Sequence, residues 1–250
     1  MSEMRARMYL DDPQTTVERR RILSERGFLR MIYQEWYSSL SEMLSDENTP
    51  VLEVGSGPGF MKDFIPKLIA SDVIGIPGIG VVLDASKLCF ADESLGAIVM
   101  TNVLHHLPRP RSFFEEVSRC LKPSGLLAMI EPWVTMWSRF VYTRLHHEPF
   151  IPDSPRWEFE STGQLSGANG ALPWIIFERD RHIFELEFSH LDILDLGLTM
   201  PFRYIVSGGF SRIAPMPPWL FSSWKYMEGL LKPSLGHLAM FAQIVIRKQT

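Results

Sequence analysis

The segment Val51–Phe60, VLEVGSGPGF, decides how the rest of the chain is read. A short apolar run, Val51, Leu52 and Val54, ends in Gly55, Gly57 and Gly59. This is the pattern of a buried strand that turns sharply at its carboxyl end. Glycine is needed where the backbone turns tightly or approaches a ligand with no Cβ in the way. Further apolar runs at Lys67–Val73, Gly80–Leu83, Ala97–Thr101 and Leu126–Ile130 read as strands. Helices are expected over Met61–Leu68 and over Pro110–Leu121. The second carries Phe113, Phe114, Val117 and Leu121 on one face, with Lys122 in its last turn and Pro123 and Gly125 as stops. Strands alternating with helices predict an α/β fold with a doubly wound, mostly parallel sheet.

Upstream, Phe28, Leu29, Ile32, Trp36 and Leu40 recur every three to four residues. They predict one helix from Pro13 to Leu44, capped by Thr15 or Thr16, with Glu18 in its first turn. After Glu131 the alternation stops. The 58 residues from Pro132 to Ser189 are too many for a plain connection and are expected to form an inserted, partly helical lid. Its helical parts would be Trp133–His147 and Trp174–Phe188, around an irregular Pro149–Pro173. Leu191–Leu198 and His237–Arg247 are expected as an antiparallel C-terminal edge of the sheet, joined by an irregular proline-rich stretch. One domain is therefore expected, with a helical lead-in over 1–50, a core over 51–131, the lid over 132–189 and the sheet edge over 190–250.

Composition narrows the class. The 250 residues carry 25 basic and 29 acidic side chains, a net charge of −4, so nothing favours nucleic acid as a partner. Two cysteines, Cys89 and Cys120, are too few for a disulfide scaffold. No apolar run approaches the ~18 residues of a membrane span. Residues 1–12 are polar, without the apolar core of a secretory leader. A cytoplasmic protein is expected. Aromatic residues make up 12%, with seven Trp and 18 Pro, and the excess sits mainly in the lid and the closing segment.

The glycine spacing discriminates between ligands. A dinucleotide fingerprint, GxGxxG, puts its third glycine where this chain has Phe60. Here the pattern is GxGxG, with Glu53 two residues ahead. A carboxylate there would repel a pyrophosphate, whereas it would serve a cationic α-amino group. The loop suits a nucleoside that carries an amino acid better than it suits a dinucleotide.

Glu53-Val-Gly55-Ser-Gly57-Pro-Gly59 resembles the first motif of class I S-adenosylmethionine-dependent methyltransferases, of the small-molecule group called type 11. The resemblance continues through Asp84–Leu95 (DASKLCFADESL), Asn102–Leu107 (NVLHHL) and Leu121–Gly125 (LKPSG), about a third of the chain. It implies a Rossmann-like sheet with S-adenosyl-L-methionine as cofactor. By position it implies that Glu53, Gly55, Ser56, Gly57 and Gly59 bind the methionine and ribose end, and that Asp72 holds the ribose hydroxyls. Asp84 and Ala85 would meet the adenine edge. Asn102 and Val103 would face the sulfonium and its methyl, with His105 following on the acceptor side. Departures are a connection of only a few residues after Asp72, Gly96 in place of Asp, Cys89 in place of Pro and Ser124 in place of Gly. Since a parallel crossover takes a dozen residues or more, either a tight loop with Pro77, Gly78 and Gly80 replaces the helix, or the second strand lies elsewhere.

The implied activity is methyl transfer to a small-molecule acceptor by in-line displacement. His105 is the candidate general base, with an unperturbed pKa of ~6.5. The adjacent His105 and His106 are expected to point apart, so no metal site is expected from them. His146, His147 and Glu148 read as favourable charge ending a helix, with substrate contact or proton acceptance as the alternative. Arg139, Arg144, Arg156, Arg179 and Arg181 fit lid solvation better than contact with an anionic substrate. The aromatic lid residues, among them Trp133, Trp137, Phe140, Tyr142, Phe150, Trp157, Phe159, Trp174 and Phe177, fit either subdomain core or an acceptor pocket. Gly163–Trp174 (GQLSGANGALPW), with Asn169, is expected as a shaped loop near that pocket. Two alternatives stand beside this: a non-catalytic S-adenosylmethionine-binding regulatory or assembly protein, and a nucleotide-dependent oxidoreductase, which Phe60 disfavours.

Overall fold

The structure is a computed structural model and describes residues 12–44, 49–146, 148–161, 163, 167–210 and 216–250. Two helices open it, α1 (Pro13–Glu25) and α2 (Gly27–Glu42), where one was expected. Arg26 takes extended backbone between them, and Gly27 starts the second helix against Pro218, so the periodic run bends. The cap of α1 is Asp12, whose carboxylate accepts the Gln14 amide, rather than Thr15 or Thr16, and no acidic residue stands in the first turn. α2 buries Phe28, Leu29, Ile32, Trp36, Tyr37 and Leu40.

The strands are β1 (Val51–Val54), β2 (Leu68–Asp72), β3 (Val81–Val82), β4 (Leu95–Thr101), β5 (Leu121–Pro132), β6 (Leu191–Thr199) and β7 (Phe241–Lys248). They form one seven-stranded sheet in the order β3-β2-β1-β4-β5-β7-β6. The first five are parallel, with Val51 opposite both Leu68 and Ala97. β7 runs antiparallel between β5 and β6, as the apolar C-terminal runs predict. β2 pairs with β1, so Asp72 does end the second strand, and a tight loop with no helix links it to β3.

The helix expected over Met61–Leu68 is absent. Only a 3-10 turn, Met61–Asp63, follows the glycine loop, because Pro66 disfavours helical backbone before it and β2 starts at Leu68. α1 ties the shortened connections instead: Arg20 donates to the Pro77 carbonyl at 2.5 Å and to the Gly57 carbonyl at 3.1 Å. α3 (Pro110–Cys120) matches its expected span, with Arg119 rather than Lys122 in its last turn.

In the lid, α4 (Met136–Leu145) begins at a capping box of Thr135 and Ser138. A short helical turn, Leu172–Trp174, runs through a π turn, Ile175–Arg179, into α5 (Arg181–Glu187). Phe177, Phe184 and Phe188 close on Phe114 of α3, with centroids 5.1–5.9 Å away, and this anchors the lid to the core. The stretch expected to be irregular after β6 holds α6 (Arg203–Val206), α7 (Phe221–Leu230) and α8 (Leu235–Leu238). No helix among the described residues is long and apolar enough to cross a membrane.

Candidate active site

Parallel strands bring the carboxyl ends of β1, β2, β4 and β5 to one edge, and the strand order reverses beside β1, the place where open α/β sheets bind ligands. A cavity of about 1360 Å³ opens there, lined by Val54, Asp72, Thr101 and Pro132 from those strand ends. Single small-molecule pockets run to roughly 300–1,000 Å³, so this one has room for two ligands.

The glycine loop forms the first wall. Gly55 (φ +66°) and Gly57 (φ +48°) take left-handed backbone and line the cavity. A Cβ on Gly55 would come 2.6 Å from the Val103 side chain. Glu53, Ser56 and Gly59, expected to contact the cofactor, lie behind this wall rather than in it. Glu53 is buried and accepts the Ser56 hydroxyl at 2.6 Å. Burial pushes its carboxyl up to about 7, and the Asp72 charge adds to this. Gly59 is required by packing: a Cβ there would lie 2.3 Å from the Tyr37 hydroxyl.

Asp72 is buried at the cavity wall and accepts the Gly57 amide at 2.8 Å and the Ile74 amide at 3.0 Å. One carboxylate thus sets both the glycine loop and the tight turn after β2. Asp84 and Ala85 line the flank beyond it. Asp84 does not end a buried strand, because β3 is a half-exposed two-residue edge. The Asp84 side chain is 57% exposed, accepts the Ser86 amide at 2.8 Å and lies 3.6 Å from Arg109. Asn102, just past β4, has φ +58° and contacts the Tyr33 hydroxyl of α2.

Val103 leads into a 3-10 turn, Leu104–His106, pinned by Glu131 near the end of β5. Glu131 Oε1 accepts the Val103 and Leu104 amides, each at 2.7 Å, and Oε2 meets His105 Nδ1 at 2.7 Å. His105 Nε2 lies 3.7 Å from Glu148, and His106 Nε2 lies 4.0 Å from it. Burial alone would lower the His105 pKa, but Glu131 and Glu148 outweigh it and raise His105 to about 9. A base near its ordinary value, as the sequence suggested, is therefore replaced by a ring held protonated at neutral pH. Burial and the neighbouring His105 lower His106 to about 4. Burial would raise the Glu148 pKa, but the two histidines hold it well below the usual carboxylate range.

Two further expectations change here. The His105 and His106 rings do not point apart; their centroids are 4.2 Å apart and both Nε2 atoms face Glu148. Glu148 does not serve a helix end but reaches into this cluster. His147 and residues 164–166 of the expected loop lie outside the described residues.

Of the aromatic lid residues, Tyr142, Phe150 and Phe159 line the cavity, while Trp133, Trp157 and Phe177 are core. Arg139, Arg179 and Arg181 pair with Asp153, Asp180 and Glu185, away from the cavity. Asn169 shapes its loop by accepting the Ile151 and Ala171 amides. Sequence reasoning missed Thr16, Arg19 and Tyr33 from the lead-in, Glu131, and Tyr204 and Phe210 from the closing segment. Of these, only the Glu131 carboxylate at the end of a predicted strand carried a readable signal.

Residues 52–129 match a family model described as a methyltransferase domain. Among solved structures, a candidate methyltransferase from Bacillus halodurans is 16% identical, with 86% of this chain and 99% of that one covered and a TM-score of 0.50. A structure of the Haloferax volcanii Trm112 methyltransferase activator with a candidate methyltransferase matches at 12% identity, 93% coverage of each chain and a TM-score of 0.51. The [4+2]-cyclase SpnF matches at 16% identity, covering 85% of this chain and 82% of its own, with a TM-score of 0.50. At these identities the likeness is one of fold. No curated protein matches the chain. Residues 52–129 are thus similar to a methyltransferase domain, and the fold around them is that of the solved structures.

Proposed function

We propose that this protein transfers a methyl group from S-adenosyl-L-methionine to a small-molecule acceptor enclosed beneath the lid. The observation that carries the proposal is the single cavity running from the Gly55–Gly57 loop and Asp72 to the lid, with room for cofactor and acceptor together. When bound, S-adenosylmethionine supplies a methyl group on a cationic sulfur, open to an O, N or C nucleophile in line with the departing thioether. The residues fit it: each Asp72 oxygen accepts one amide and keeps a second acceptor site for a ribose hydroxyl. Asp84 and Ala85 would take the adenine end. Asn102 and Val103 would border the methyl, while Glu53 and Ser56 support the loop from behind.

On the acceptor side, Tyr142, Phe150, Phe159, Tyr204 and Phe210 make an aromatic wall, suited to an acceptor with an apolar body and to excluding water from the reacting atoms. Alignment in such a pocket is worth up to ~7–11 kcal/mol of barrier in favourable cases. His105 lines the acceptor side of the cavity as a cationic group held between Glu131 and Glu148 rather than as a proton acceptor. In the division of labour proposed, 51–131 binds cofactor and the 132–189 lid selects the acceptor, together with 203–210 and the lead-in helices. Calorimetry with S-adenosylmethionine tests the reading: one-site binding is expected, weakened at least tenfold in Asp72→Ala while the variant still melts cooperatively. No binding to the wild-type chain overturns it. Binding without labelled product across metabolite pools assigns the protein instead to a cofactor-holding, non-methylating role.

A further inference from the structure

Where the 3-10 turn after β4 meets the loop after α4, the donor atoms of His105, His106 and Glu148 lie within 4.8 Å of one another. His105 Nε2 is 3.7 Å from one Glu148 oxygen and His106 Nε2 is 4.0 Å from the other. Each ring has its second nitrogen committed away from this point. His105 Nδ1 meets the Glu131 carboxylate at 2.7 Å, and His106 Nδ1 meets the Gly167 carbonyl at 3.2 Å. A carboxylate and a carbonyl only accept, so both Nδ1 atoms donate and both Nε2 atoms are left to converge on Glu148. Metal-binding histidines are held in the same way, with the far ring N–H given to a carboxylate or a backbone carbonyl.

We propose that His105, His106 and Glu148 form a binding site for a divalent transition-metal cation, with Glu131 and the Gly167 carbonyl orienting the two imidazoles. An ion pair accounts for one histidine beside a carboxylate. It gives no reason for a second imidazole, 4.2 Å from the first, to aim at the same carboxylate. Two nitrogens and one oxygen suit zinc and its first-row neighbours, whereas magnesium and calcium prefer all-oxygen sets. Tetrahedral bonds of about 2.0–2.1 Å put ligand atoms roughly 3.3 Å apart. Contracting the present cluster requires side-chain rotation, mostly of Glu148, which sits on irregular backbone between α4 and the rest of the lid. His105, His106 and Glu148 all line the cavity, so a cation with three protein ligands keeps a position open to it. If the methyl-transfer reading holds, on which this last step rests, the ligand for that position is a hydroxyl or carboxylate oxygen of the acceptor.

The test uses the full chain, stripped with a chelator and free of cofactor, so that it is independent of methyl transfer. Calorimetry with Zn²⁺ should show one ion per chain at micromolar or tighter affinity, and Co²⁺ should give the intense visible absorption of a nitrogen-ligated tetrahedral centre. His106→Gln and Glu148→Gln should each weaken binding more than tenfold, and Glu131→Gln should weaken it about tenfold without abolishing it. Thermal melts confirm that each variant is folded. Absence of Zn²⁺ binding, a Co²⁺ spectrum no stronger than that of the hydrated ion, or affinity unchanged in folded His106→Gln and Glu148→Gln overturns the proposal.

Discussion

At Glu53 one carboxylate is taken out of water beneath the glycine loop with the Ser56 hydroxyl as its bonded partner. Its pKa of about 7, against an ordinary 4.5, means that the folded chain binds the proton more tightly than the unfolded one. The resulting stabilisation is fully present below about pH 4.5 and is lost as pH rises through about 7. Glu53→Gln should therefore match the wild type in acid and exceed it above pH 7 by on the order of 2–3 kcal/mol. Urea titrations at pH 4.5 and 8 check this, and an equal difference at both pH values refutes it. Ser124 stands where the resembling family has glycine, and its φ of +63° shows why glycine is the better residue there. Ser124→Gly, at an exposed position of β5, should stabilise the fold by about 0.5–1 kcal/mol, seen as a rise in Tm; a fall would sink the argument. Gly96, another departure, has no room for the family's aspartate, since a Cβ would lie 1.9 Å from the Thr49 hydroxyl.

Among the elements, the outcome followed the local signals closely where the partners are near in sequence. β1, β4, α3 and the antiparallel edge form about where apolar period and stop residues placed them. The missing helix after the glycine loop had a local signal, Pro66, that outweighs the apolar spacing of Met61–Leu68. The helices α6 and α7 had no such signal, because what fixes them is a buried network spread over the chain. Arg203 donates to both oxygens of Glu35, each at 2.9 Å, and to Glu228, while Glu228 also accepts the Phe202 and Arg203 amides. This joins α2, α6 and α7 in one unit. Glu228→Ala leaves a buried guanidinium and two amides without that partner, and should cost about 3–5 kcal/mol. A Tm within a degree or two of the wild type would show that the network carries no such weight.

Across the whole molecule, the cavity is closed by three separate parts of the chain: the lead-in through Thr16, Arg19 and Tyr33, the lid through Tyr142 and Phe150, and the closing segment through Tyr204 and Phe210. A ligand at this junction binds the folded chain alone. S-adenosylmethionine at about a hundred times its Kd should therefore stabilise the protein by about 2.7 kcal/mol, raising Tm by about 2–4 °C per kcal/mol. Differential scanning fluorimetry against cofactor concentration reads this directly, and a flat response contradicts binding at the junction.

The sequence by itself determined the parallel sheet, the glycine turn, the strand-end Asp72 and the methyltransferase family resemblance. Each rests on residues within a few positions of one another or on a pattern period that a strand or helix imposes. The tertiary structure decided what faces the cavity. It set Glu53, Ser56 and Gly59 behind the wall, brought the lead-in and closing segments onto it, and folded two histidines expected to diverge onto one carboxylate from the lid. Those relations depend on side chains far apart in the chain meeting in a low-dielectric interior, where burial and a partner's charge, rather than residue type, set protonation and direction.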